Sequence, residues 1–203
     1  KRQDFVRSFI FVGRLVPQKG VPFLLQAFRD VVMQERKRKA FLSIVGDGPE
    51  RIKLETIAVA LGIKHRVSFL GQVKNDNVHL LLSKHDIFVL PSLAEGFGVS
   101  VVEAMGVGLP VIVTRSGGPE DFVDDGVGIV CHPGDVNALR DAMIQMIDMP
   151  KYKIEKMKQE CIHRVIKKFD IKRITKDYET LFNQILKNPM TNSIHKPESV
   201  SCQ

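Results

Sequence analysis

Glu95 and Glu103 stand on either side of a Gly96-Phe97-Gly98 turn in the stretch LAEGFGVSVVEAMG, residues 93–106. A glycine turn that opens a helix offers free backbone N–H groups and the positive end of the helix dipole. Both attract an anion such as phosphate. Glycines at 96 and 98 let the backbone come close to it. A carboxylate aimed at that phosphate would be repelled, so hydroxyls are the natural partners of the two glutamates. Glu95 precedes the helix and Glu103 lies inside it, so they reach separate points along one elongated ligand. A sugar, a diphosphate and a ribose in series make such a ligand. Read alone, the same residues also fit a loop charge and an exposed helix carboxylate.

Other glycine-bearing segments share this texture. GRLVPQKG (13–20) has a glycine at each end and carries Arg14 and Lys19. Two fixed cations could neutralise a diphosphate without a metal, although each also fits a solvated surface charge. The loop is neither a GxGxxG dinucleotide fingerprint nor a Walker A loop. VGDGPE (45–50) is explained by turn chemistry around Asp47-Gly48-Pro49. The backbone of LGQVKND (70–76) could meet a nucleobase edge. In SGGPEDF (116–122), Glu120 and Asp121 suit the first turn of a helix, with a phosphate or acceptor contact as the weaker reading. No HExxH, GxSxG or CxxC occurs, and no DxD pair follows a strand. The histidines, 65, 79, 85, 132, 163 and 195, are expected to be surface or half-buried residues.

These loops need elements to hold them. Short β-branched and aromatic runs at 8–12, 40–45, 66–70, 86–91, 110–114 and 128–132 read as strands. Helical patterns lie between most of them, at 21–35, 49–61, 75–84, 98–107 and 118–124. Strand and helix in alternation predict a doubly wound α/β domain, Rossmann-like, with a parallel sheet of about six strands. Ligands of such a sheet sit at the carboxyl ends of its strands, where the loops above fall. Beyond Gly134 the pattern is helical, and the segments over 151–187 are basic and amphipathic. Residues 188–203 are polar, with two prolines, and are expected to form a flexible tail. The predicted organisation is therefore a domain over 1–187 and a tail over 188–203.

The 203-residue chain carries 30 Lys plus Arg against 23 Asp plus Glu, a net charge of +7. That balance favours anionic partners such as a nucleotide. A nucleic acid is disfavoured, because few aromatics lie among the basic residues. Cys131, Cys161 and Cys202 are widely spaced and odd in number, which argues against a zinc site or a disulfide framework. They suit a reducing, cytoplasmic setting, with the basic helices giving membrane-face contact as a secondary expectation. The apolar run near the start is too short for a membrane span. With Lys at position 1, the stretch reads as a piece of something longer.

Taken in order, VGRLVPQKG, VGDGPER, FLGQV, LPSLAEGFGVSVVEAMGVGLPVIVT and GGPEDFV resemble the carboxyl-terminal, donor-binding domain of GT-B glycosyltransferases, in particular the retaining family 4. The similarity covers about residues 8 to 187 and includes the family's E-x7-E motif at Glu95 and Glu103. The resemblance implies retaining transfer of a hexosyl unit from a UDP-, GDP- or ADP-sugar to a glycan or lipid-linked acceptor, without metal or other cofactor. It implies that Arg14 and Lys19, in the loop that begins at Gly13, grip the diphosphate. It assigns phosphate and sugar to the backbone around Gly96, Phe97, Gly98 and Val99. Glu95 falls to the transferred sugar, Glu103 to the ribose, and the Val73 backbone to the base. An amino-terminal Rossmann-like domain is the partner the family adds. Departures are Ile171, where an aromatic is common, and DDGVGIVCHPGD (124–135), which lacks the common Asn-Gly. A GT-B sugar-nucleotide epimerase and a non-catalytic nucleotide-sugar-binding module are the alternatives.

Overall fold

A computed structural model describes residues 7–34 and 40–187. The tail expected over 188–203, together with His195 and Cys202, lies outside the described residues. The chain divides into two compact units, Lys1–Lys168 and Phe169–Gln203.

The first unit is built on six strands: β1 (Arg7–Val12), β2 (Ala40–Val45), β3 (Val67–Gly71), β4 (Ile87–Leu90), β5 (Val111–Thr114) and β6 (Gly128–Cys131). All pair in parallel, in the order β3-β2-β1-β4-β5-β6. Every residue of β4 and β5 is buried. That explains their unbroken apolar runs, since a parallel sheet covered on both faces needs no polar alternation. β3, at an edge, alternates buried and open positions.

Helices α1 (Val21–Gln34), α2 (Arg51–Ala60), α3 (Asn75–Leu82), α4 (Val99–Gly106), α5 (Val136–Asp148) and α6 (Lys151–Phe169) accompany the sheet. Leu24, Leu25, Ala27, Phe28 and Val31 of α1 are buried, and Phe28 meets Phe9 of β1 edge-on at 6.4 Å. α5 starts on an Asp135 cap that accepts the Ala138 N–H at 2.9 Å, an interaction that stabilises a helix start by about 1 kcal/mol. α6 is rich in lysine, yet Ile154, Met157 and Cys161 form a buried stripe along it. The Cys161 thiol lies 3.3 Å from the Leu109 carbonyl. Its lysines are therefore the solvated side of an amphipathic helix. No helix among the described residues is long and apolar enough to cross a membrane.

In the second unit, α7 (Ile171–Lys187) begins at Asp170, whose carboxylate accepts the Lys172 N–H at 2.8 Å. The rings of Tyr178 and Phe182 stack along it, 6.2 Å apart.

Most expected elements form within one or two residues of their predicted ends. The exception is the helix anticipated over 118–124, where only a short 3-10 turn forms, Pro119–Asp121. There the side chain of Glu120 turns back to accept from the amides of 116, 117 and 118.

The strand order reverses between β1 and β4. Both strands end there, and the chain leaves each through a glycine-bearing loop. This is where an open α/β sheet leaves a crevice.

Candidate functional site

The loop after β1 is pinned from several sides. The Gly13 N–H donates to the Val45 carbonyl at 3.0 Å, and the Leu15 N–H to the Asp47 carbonyl at 2.9 Å. Leu15 is buried, which leaves Arg14 outside with no ion pair among the described residues. Pro17–Lys19 then make a 3-10 turn ending at Gly20, whose φ is +63°. A Cβ at Gly20 would lie 2.1 Å from the Pro91 carbonyl oxygen. Only glycine permits both that backbone and that approach. The Leu93 N–H also donates to the Gln18 carbonyl at 2.7 Å. The loops after β1 and β4 are therefore joined backbone to backbone.

The loop after β4 carries the opening motif. Pro91 and Ser92 are buried, whereas Phe97 and Val99 are exposed. Gly98, at φ +83°, precedes α4, and no side chain caps the helix start. Its first N–H groups have no partner within the helix. The Glu95 carboxylate accepts from the Lys19 ammonium and, at 3.4 Å, from the Ser92 hydroxyl. Glu103 is open to solvent, and desolvation by neighbouring atoms still pushes its carboxyl above the ordinary glutamate value.

Two adjoining recesses result. One, of about 540 Å³, gathers Gly13, Arg14, Lys19, Glu95, Gly96, Phe97, Gly98, Val99 and Glu103. Nine of the ten residues singled out from the sequence thus meet on one wall. The tenth, Val73, lines the neighbouring recess of about 430 Å³ with Val45, Gly46, Gln72 and Asn75. Val12, Gly13 and Arg14 border both recesses. Together they form one elongated cleft along the strand ends. It gathers Arg14 and Lys19, the backbone at the start of α4, and two carboxylates, Glu95 against Lys19 and Glu103 in α4. Such a cleft can hold an anion centrally and hydroxyl groups flanking it.

A larger groove, about 820 Å³, lies away from these strand ends, between Asp125–Gly128, α5 and α6. Arg164 within it pairs with Asp124 at 2.7 Å and Glu160 at 3.1 Å. Asp124 is held below the ordinary aspartate value, first by the hydrogen bond from Arg164. Among the described residues, no group of three or more His, Cys, Asp or Glu converges as a metal site. Cys131 and Cys161 are free thiols, pushed up to about 11 and about 12, chiefly by burial. His85 is a structural residue, with one ring nitrogen 2.7 Å from the Leu81 carbonyl and the other 2.8 Å from the Ser43 hydroxyl.

Sequence reasoning missed the Lys19–Glu95 ion pair, because 76 residues separate the partners. It also read Glu120 as the acidic first turn of a helix and missed that its carboxylate gathers three successive backbone N–H groups. The signal available was the doublet Gly117-Gly118 ahead of Glu120, since glycines often present successive amides to an anion.

Residues 4–168 match the model of the family described as glycosyl transferases group 1. The N-acetyl-alpha-D-glucosaminyl L-malate synthase of Bacillus anthracis is 34% identical over 93% of this chain and 48% of its own length. An Escherichia coli UDP-Gal:alpha-D-GlcNAc-diphosphoundecaprenol alpha-1,3-galactosyltransferase is 31% identical over 87% of this chain and 45% of its own. Among solved structures, Anabaena Alr3699/HepE in complex with UDP superposes with a TM-score of 0.78 at 26% identity, covering 87% of this chain and 48% of that one. The chain spans about half the length of these relatives.

Proposed function

Since the chain belongs to the group 1 glycosyl transferases, we propose that it is the donor half of a retaining hexosyltransferase. It takes a nucleotide-diphosphate sugar, and the acceptor is a glycan or a lipid-linked sugar. The observation that carries this reading is the convergence of Arg14, Lys19, the Gly96–Val99 backbone, Glu95 and Glu103 on one wall at the reversal of the sheet.

Arg14 and Lys19 meet the diphosphate, and the amides at the start of α4 meet its remaining oxygens. Glu95 orients hydroxyls of the sugar, Glu103 receives the ribose hydroxyls, and the Val73 backbone borders the base. As the bond from sugar to diphosphate breaks, negative charge builds on the departing phosphate oxygen. Cations and amides already in place stabilise that charge without reorganising. This fixed positive field takes the role a metal would otherwise fill, so binding is metal-independent. The acceptor enters on the face the diphosphate leaves, which retains the anomeric configuration. A further domain of the longer protein supplies the acceptor side, and closure over the cleft excludes water.

The test is a calorimetric screen of the chain against UDP, GDP, ADP and their sugars. The reading expects one nucleotide to bind clearly better than its nucleoside, with Arg14→Ala removing most of that difference. Nucleoside and diphosphate of every base binding alike would refute it.

A further inference from the structure

The loop after β5 lines neither recess of the cleft, yet it backs the loop that does. The Glu95 N–H donates to the Ser116 carbonyl at 2.9 Å. A Cβ on Gly118 would lie 2.7 Å from the Gly96 carbonyl oxygen and 2.8 Å from the Phe97 Cα, too close for any side chain. A Cβ on Gly98 would meet Pro119 at 3.0 Å. The Phe97 and Phe122 rings lie 5.6 Å apart. The shape of 95–98 is therefore moulded on 116–122.

What shapes the mould is one carboxylate. Glu120 accepts from the Gly117 N–H at 2.9 Å, the Gly118 N–H at 3.1 Å and the Ser116 N–H at 3.2 Å. Three successive amides wrapped around an anion form a nest, here filled from within the chain. Burial alone would raise the Glu120 carboxyl. Its own N–H and those of Gly117, Gly118 and Ser116 outweigh that and hold it below the ordinary glutamate value. A glutamine cannot replace it, because its single carbonyl oxygen serves one side and its NH₂ faces another donor.

We propose that Glu120 is a positioning residue for sugar transfer: by gathering the amides of 116–118 it fixes the backing loop, and through it the amides of 96–99 and the carboxylate of Glu95. The inference rests on the donor-binding reading above and adds a residue outside the cleft to it. Glu120 acts through other groups and contacts no substrate.

The experiment compares the 203-residue chain with its Glu120→Gln and Gly118→Ala variants, using two readouts. The first is backbone hydrogen exchange without ligand. Glu120→Gln should speed exchange roughly tenfold over 93–99 and 116–118, the loss expected for a charge-assisted hydrogen bond, and leave β2 unchanged. The second is affinity for UDP and for uridine. UDP should weaken roughly tenfold and uridine less than twofold, because only the phosphate lies against the moulded loop. Gly118→Ala leaves Glu120 intact but pushes the loops apart, so it should give the same split. Glu120→Gln with wild-type exchange over 93–99 would overturn the proposal. So would equal loss of UDP and uridine with faster exchange throughout the sheet, which marks a residue that only stabilises the fold. If wild type prefers GDP or ADP, that nucleotide and its nucleoside replace UDP and uridine; if it binds none of UDP, GDP and ADP, the donor-binding reading falls. The exchange experiment then decides on its own whether Glu120 shapes the 93–99 loop.

Discussion

Glu95→Gln should tighten UDP binding, whereas Lys19→Ala should weaken it. Without ligand, Lys19 is held by Glu95, with the two side chains 22% and 13% exposed. A diphosphate that takes Lys19 must draw it from that partner while facing the Glu95 carboxylate. Two unit charges 4 Å apart attract by about 4 kcal/mol at an effective dielectric near 20. Most of that is offset by desolvation, leaving about 1.5–3 kcal/mol for a charge-assisted hydrogen bond. Glutamine leaves Lys19 a neutral acceptor roughly half as strong. About 1 kcal/mol is then released to the incoming diphosphate, roughly a fivefold gain in affinity. Lys19→Ala forfeits the diphosphate contact itself and should weaken UDP by about tenfold to a hundredfold. The assay is calorimetric titration with UDP at fixed ionic strength, with melting curves to confirm that both variants fold. If Glu95→Gln weakens UDP as much as Lys19→Ala does, the two residues form a structural pair and the competition argument is wrong.

Glu103→Gln should weaken UDP about tenfold, the order of one charge-assisted hydrogen bond. A 2′,3′-dideoxy analogue should be affected little; equal losses in parallel titrations would sink the ribose assignment. UDP titrations with and without EDTA should agree, and an order-of-magnitude loss on chelation would contradict metal-independent binding. The Glu120 carboxyl, held low in the fold, contributes stability that is present above the unfolded glutamate value of about 4.3 and lost as pH falls through its folded value. The melting temperatures of wild type and Glu120→Gln should therefore converge under acid, and a constant gap would refute the nest. Cys131 and Cys161, buried with thiols pushed up to about 11 and about 12, should resist iodoacetamide at pH 8 until denaturant is added. Rapid labelling at Cys131 or Cys161 of the native chain, read residue by residue, would count against that burial.

Much of the fold is legible in the sequence because parallel strands carry their own signal. AFLSIV spans 40–45 in the sequence reading and in the structure, since a strand buried on both faces is written as a continuous apolar run. Arg14 and Lys19 are legible for a related reason. Once a loop is known to follow a strand, its cations belong to the ligand edge of the sheet. The failure at 118–124 has a different origin. Glu120 and Asp121 look like the acidic start of a helix, but the Glu120 carboxylate turns back onto the amides of 116–118 and only a 3-10 turn follows. The Lys19–Glu95 pair and the fit of Gly118 against Gly96 depend on backbones brought together from distant parts of the chain. No local pattern records such contacts.

In the proposed function, one nucleotide-sugar cleft runs along the ends of β1 and β4. Residue-resolved amide shifts of the labelled chain, recorded while UDP is added, test it most directly. The amides of 13–19 and 96–99 should move together and saturably, with Val73 following. Shifts confined to the groove lined by Asp125, Lys153, Lys156 and Arg164, with the strand-end loops unmoved, would contradict it.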